Sequence, residues 1–200
     1  HDKRPNIINC IDDNIRVELG KSTRMAGEAS HHALEAAVHD LKEGNIDALV
    51  TAPINKHNIQ SEHFNFSGHT EYLQYIFDAE EVLMLMVSDL LKVGVVAGHV
   101  PIKNLTAYIS REKVLSKIGV MNNSLIRDFG IRKPKIAVLG LNPHAGDSGL
   151  LGSEENETII PAIQDAVNKG ITASGPYPAD GFFGSGNFRA FDAVLAMYHD

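Results

Sequence analysis

A single cysteine, Cys10, among 200 residues excludes an intramolecular disulfide and a thiolate metal cage. It reads as a buried small hydrophobe and fits a reducing cytoplasm. No apolar run approaches the roughly 20 residues of a membrane span, and no charged segment followed by an apolar stretch opens the chain, so a soluble cytoplasmic protein is expected. Positive charge is scarce as well. With 18 Lys and Arg against 25 Asp and Glu, the formal net charge is -7. That argues against duplex nucleic acid or an anionic membrane as partner, because each requires a broad basic face. A small anionic substrate needs only a local cluster of donors and stays open. No Gly-x-Gly-x-x-Gly follows a strand, and no Gly-x-Ser-x-Gly elbow, P-loop or His-Glu-x-x-His occurs. These absences weaken dinucleotide-fingerprint, esterase, NTPase and zincin readings. Repeats, low-complexity tracts and Pro/Ser-rich linkers are missing too, so no domain boundary is expected inside the chain.

What is present is ordinary globular composition, 44% hydrophobic and 22% charged, enough to bury a core. Runs rich in Val, Ile, Leu and Ala at 48–51, 82–87, 93–97, 136–139, 171–173 and 193–197 read as buried parallel strands. Amphipathic segments separate most of them. Over 23–43, Leu34, Ala37, Val38 and Leu41 share a helical face, Ser22 or Thr23 can cap the start, and Gly44 suits a left-handed stop. Over 112–129, Val114, Ile118, Met121, Leu125 and Phe129 form a stripe ending at Gly130. A third helix is expected from Ser153, with Glu154 and Glu155 at the positive end of its dipole and a kink or restart at Pro161. Strands alternating with helices imply an α/β fold, a mainly parallel twisted sheet with helices on both faces.

In such a sheet, ligands collect outside the carboxyl ends of the strands. His99 follows the run 93–97, His144 follows 136–139, and His199 follows 193–197, so a parallel sheet brings all three to one edge. Neutral imidazole is a common ligand of zinc and its neighbours, and three such ligands leave coordination positions open for substrate. Against this stands the plain alternative, that a strand-end histidine is a polar loop residue. His1, His31, His32, His39, His57 and His63 lack such placement and read as surface or helix-face residues.

A second constellation is Ser67-Gly68-His69-Thr70-Glu71-Tyr72, where a helix start presents His69 and Thr70. Free N–H groups, the dipole, an imidazole and a hydroxyl suit a phosphate or carboxylate; a simple N-cap is the alternative. Upstream, Thr51-Ala52-Pro53-Ile54-Asn55-Lys56 leaves the expected strand 48–51 and supplies Lys56, which faces either the same anion or solvent.

These stretches, together with Gly98-His99-Val100-Pro101, Leu141-Asn142-Pro143-His144-Ala145-Gly146, Gly175-Pro176-Tyr177-Pro178-Ala179-Asp180 and Ala193-Val194-Leu195-Ala196-Met197-Tyr198-His199-Asp200, occur in an order that resembles the 4-hydroxythreonine-4-phosphate dehydrogenase family over nearly the whole chain. The resemblance implies an isocitrate/isopropylmalate-dehydrogenase-like fold and a homodimer with its active site at the subunit interface. It implies a divalent metal on His99, His144 and His199, zinc first, with magnesium, cobalt or manganese as options. It makes His69 and Thr70 the substrate-contacting pair and gives Asp180 and Asp200 an orienting or proton-relay role. The implied reaction is NAD- or NADP-linked oxidation of 4-phosphooxy-L-threonine, in pyridoxal phosphate biosynthesis, to a β-keto acid that loses CO2 to give 3-amino-2-oxopropyl phosphate. Alternatives are a dehydrogenase of phosphorylated threonate or erythronate, a metal-dependent lyase or hydrolase, and a non-catalytic phosphate-binding module.

A chain that starts at His1 without methionine and stops behind an apolar run reads as residues 1–200 of the middle of a longer enzyme. By the resemblance, a Gly-rich strand and turn would precede His1. The substrate-binding Lys, Asn and Arg and most nucleotide contacts would follow Asp200, so residues 1–200 alone are not expected to turn over.

Overall fold

Thr23 caps the first helix as its position suggests, its Oγ1 accepting from the Ala26 backbone N–H at 3.2 Å. The helix, α1, runs Arg24–Lys42 in a computed structural model that describes residues 5–11, 15 and 18–199. It stops at Gly44, which takes the left-handed φ of 72°. The chain divides into two compact units, 1–78 and 79–200, although no linker composition marks the junction.

In the first unit, Leu34 and Val38 of α1 bury against Ile59, Phe64 and Tyr72. Gly27 permits this approach, because a Cβ there would stand 1.9 Å from the Asn58 carbonyl oxygen. Asn58 Nδ2 returns a hydrogen bond to the Thr23 carbonyl at 3.0 Å. Helix α2, His69–Ile76, contributes Tyr72 to the same core. His31 departs from its expected surface role: it is buried, with its ring edge-on to Phe64 and Tyr72. The segment 48–51 is not a strand. A strand requires a ladder partner, none of the described residues pairs with it, and Val50 is 96% exposed.

The second unit is built on a five-stranded sheet of order β1-β2-β5-β3-β4, comprising β1 Leu85–Val87, β2 Lys92–Val95, β3 Lys135–Leu139, β4 Thr172–Tyr177 and β5 Ala193–Ala196. Strands β2, β5, β3 and β4 are mutually parallel, and β1 runs antiparallel to β2. The expected parallel strand over 82–87 is thus corrected to a short antiparallel edge. A tight turn imposes that direction: Ser88 N–H donates to the Leu91 carbonyl at 2.8 Å, and parallel partners cannot be joined by so short a connection.

Alternate residues of β3 face opposite sides. Ile136 and Val138 enter a core with Leu195 and helix α4, Arg111–Arg127, whose Val114, Ile118, Met121 and Leu125 are fully buried. Ala137 and Leu139 pack on the other side with Val194, Phe182 and an aromatic group of Tyr177, Phe183, Phe188 and Phe191. Helix α3, Leu105–Tyr108, adds Leu105 to the first core, and α6, Ala179–Gly184, supplies Phe182 to the second. Helices therefore cover both faces, and the fold is α/β with a mainly parallel sheet.

The helix expected from Ser153 is continuous, but Pro161 has no N–H to return to the preceding turn. A widened, π-type turn over Glu155–Ile159 absorbs the fault before α5, Ile160–Asn168. Arg111 ties α4 to α5 through a bidentate pair with Asp165, at 2.7 and 2.8 Å. No helix among the described residues is long and apolar enough to cross a membrane.

Candidate functional site

Four parallel strands lying side by side end at one edge, and each leads into a residue named by the sequence. The β2–β5 ladder continues past the strands through Val96 N–H to the Ala196 carbonyl at 2.9 Å and Ala97 N–H to the Met197 carbonyl at 3.0 Å. His99 and His199 follow two residues beyond these last bonded positions. His144 leaves β3 on the other flank of β5, and Asp180 leaves β4 through Pro178 at the start of α6. The edge thus carries His99, His199, His144 and Asp180 in strand order, all exposed.

Among the described residues no three His, Cys, Asp or Glu side chains stand close enough together to hold a metal. His144 and Asp180 do share a cleft of about 310 Å³, lined also by Asn142 and Tyr198. Tyr198 escaped the sequence reading, although its place between Met197 and His199 put it at the strand's carboxyl end. Asp180 Oδ1 accepts from the Gly181 N–H at 2.7 Å. Asp200 lies outside the described residues. Of the donors at this edge, the His144 imidazole and the Asp180 carboxylate line the cleft, and both are ligand types that suit a borderline divalent cation.

His144 sits in strained backbone. Residues His144, Ala145, Gly146, Asp147 and Ser148 all take positive φ, between 43° and 76°. Each non-glycine residue in this region costs roughly 1–2 kcal/mol. Such a run persists only where its surroundings over-determine it, and it recurs at ligand sites.

The anchor is Glu155. Its side chain is 2% exposed, and its Oε1 accepts from the backbone N–H groups of Leu141 and Asn142, each at 2.7 Å. Its Oε2 accepts from Asn142 Nδ2 at 2.9 Å, while Glu154 takes the same amide nitrogen at 2.7 Å. Burial by itself pushes the Glu155 carboxyl up, but the hydrogen bonds from Asn142 and Leu141 outweigh it and leave the group below its ordinary value. A depressed folded-state pKa gives stability that is present above the unfolded value of 4.5 and is lost as pH falls through the lower folded one. The melting temperature is therefore expected to fall with acidification below about 4.5. E155Q should flatten part of that decline in a calorimetric pH series; an unaltered slope would contradict the assignment.

In the first unit, α2 starts at His69 with Gly68 as N-cap and no side-chain cap bond, so its first N–H groups are not taken by a capping side chain. A Cβ placed on Gly68 would stand 3.6 Å from Glu71 Oε2, 3.7 Å from Lys56 Cε and 4.0 Å from Lys56 Nζ, so a carboxylate and an ammonium both lie beside this N-terminus. Lys56 arrives there on a turn rather than from a strand. Asn55 Oδ1 caps that turn, accepting from the N–H groups of His57 and Asn58 at 3.0 and 3.2 Å. His69 and Thr70 are half-buried. His69 also lines a largely apolar cavity of about 260 Å³ with residues 49–54. The Lys56 ammonium and the helix N-terminus are donors of the kind a phosphate takes, with the Glu71 carboxylate beside them.

The whole chain, residues 1–200, matches the family described as pyridoxal phosphate biosynthetic protein PdxA. A 4-hydroxythreonine-4-phosphate dehydrogenase from Bacteroides thetaiotaomicron is 49% identical over 98% of this chain and 54% of its own length. A relative from Oceanobacillus iheyensis, provisionally named a D-threonate 4-phosphate dehydrogenase, is 42% identical over 96% of this chain and 59% of its own length. The crystal structure of 4-hydroxythreonine-4-phosphate dehydrogenase from Klebsiella pneumoniae superposes with a TM-score of 0.81 at 32% identity, covering 92% of this chain and 55% of that one. The chain spans a little over half the length of the curated relatives it matches.

Proposed function

The chain belongs to the family of pyridoxal phosphate biosynthetic protein PdxA, and on that premise we propose that residues 1–200 form the central part of a metal- and NAD-dependent 4-hydroxythreonine-4-phosphate dehydrogenase. The observation that carries the reading is the order β2-β5-β3, which leads three parallel neighbours into His99, His199 and His144 at one edge. These histidines would hold the divalent cation, zinc in the first place. The chemistry such a cation would supply is Lewis acidity that would lower the pKa of a substrate hydroxyl.

The chain's own residues bind and orient. Lys56, His69, Thr70 and the α2 N–H groups take the substrate phosphate. Asp180 in the cleft beside His144, and Asp200, would orient the site or relay the hydroxyl proton, and NAD would supply the hydride acceptor. The β-keto acid so formed then loses CO2 to give 3-amino-2-oxopropyl phosphate. The assembly is a homodimer with the reaction at the subunit interface, and the protein works in the cytoplasm.

The test is an assay of the full-length protein with 4-phosphooxy-L-threonine, NAD and zinc. NADH formation that chelation stops and zinc restores is the expected result, whereas turnover without NADH would favour a lyase or hydrolase. A second reading rests on the Oceanobacillus iheyensis relative, whose name points to D-threonate 4-phosphate. A substrate panel separates the two by comparison of kcat/KM. K56A is expected to raise KM for the phosphorylated substrate about tenfold, in keeping with one charge-assisted contact. Its kcat should change little, and an unchanged KM would remove Lys56 from the phosphate seat.

A further inference from the structure

Glu155 is expensive as a structural element alone. It is an ionised carboxylate almost wholly removed from water, and each of its bonds comes from a neutral N–H donor of Leu141 or Asn142. Burying a charge without a counter-charge is costly, and an apolar residue at this point of the helix would serve packing better. The expense is confined to one place, where the chain leaves β3 and enters the strained loop of His144. Leu141 and Asn142 are the first residues of that loop, and their N–H groups have lost the ladder partners they would have in the sheet.

Further along, the same carboxylate occupies space that opens only because residue 146 has no side chain: a Cβ on Gly146 would stand 2.6 Å from Oε2. Glu155 therefore touches the loop on both sides of His144, at 141–142 and at 146. Its own backbone lies in the widened turn ahead of α5, which carries the side chain into the sheet edge instead of out to solvent.

From this geometry we infer that Glu155 is a positioning residue, fixing the His144 loop in its left-handed form so that the imidazole stays aimed into the cleft it shares with Asp180 and Tyr198. The inference rests on the functional reading above, in which His144 is a metal ligand. Partners that orient ligands from behind govern metal affinity as strongly as they govern activity.

The variant E155Q keeps the volume and one acceptor oxygen for the two backbone N–H groups. It loses the charge and turns an amide toward the Asn142 amide, donor against donor. Zinc affinity of the full-length protein, measured by competition with a chromogenic chelator, is expected to weaken about 10- to 100-fold. kcat/KM should fall at limiting zinc and recover toward wild type when zinc is saturating. R111A, which cuts the Arg111–Asp165 tie on the same helix, should lower thermal stability without moving the zinc constant; an equal shift there would reduce Glu155 to general stability and overturn the assignment.

If E155Q fails to fold, N142A replaces it. That variant removes one donor from the carboxylate and leaves both backbone bonds, and a severalfold weakening of zinc is expected. Wild-type protein that binds zinc, with E155Q (or, in its place, N142A) binding it equally well, overturns the positioning role alone. Wild-type protein that takes up no zinc overturns the functional reading and the positioning role together.

Discussion

Replacing His144 with Ala in the full-length protein is expected to abolish stoichiometric metal and to lower kcat/KM by at least about a thousandfold, equivalent to roughly 4 kcal/mol of transition-state stabilisation. The side chain is exposed and lies in no apolar core, so the loss should come without unfolding. Its backbone, at φ 53°, complicates the choice of substitution. Alanine tolerates the left-handed region less well than asparagine, so H144N is the cleaner variant. Both should share the loss of metal while H144N keeps the melting temperature of metal-free wild type. Undiminished turnover in either would remove the histidine from the site.

The second large effect lies in the sheet. Leu195 is fully buried on β5, paired with Gly94 of β2 on one side and Val138 of β3 on the other. Leu195→Ala is expected to destabilise the unit by about 2–5 kcal/mol, the lost transfer energy plus an unrelaxed cavity. That is a large share of the roughly 5–15 kcal/mol of a typical domain. Urea denaturation should show a lower midpoint with an unchanged slope. A change under about 1 kcal/mol would mean that β5 is not the packed centre of the sheet. Because β5 also delivers His199, the variant should lose zinc affinity in proportion to its unfolded fraction and recover it at low temperature.

Much of this architecture was legible because its signals are local. The stripe Val114, Ile118, Met121 and Leu125 has a period that only a helix satisfies, and Thr23, Gly44 and Gly130 bound their helices by capping chemistry, whereas the Ser110 cap of α4 went unread. That β2, β5 and β3 lead toward His99, His199 and His144 at one edge followed from parallel strand direction alone. What could not be read depended on partners. An apolar run such as 48–51 becomes a strand only where another strand offers hydrogen bonds, and 82–87 was turned antiparallel by a four-residue turn that composition does not announce.

His31 looked like one more helix-face histidine because nothing local shows that Phe64 and Tyr72 will close over it. Glu155 left a fainter trace: with Ile159, Ala162 and Ala166 it falls at helical spacing on the buried face, a carboxylate in an apolar stripe. Its place at a helix start reads as dipole stabilisation, which says nothing of burial. Its spacing argued for burial.

The most direct test is a crystal structure of the zinc-loaded full-length protein with anomalous diffraction at the zinc edge. The expected result is one site per subunit with nitrogen ligands from His99, His144 and His199 at about 2.0–2.1 Å and at least one position open toward Asp180. A metal held elsewhere, or the three imidazoles remaining apart around an empty edge in protein that turns over substrate, would contradict it.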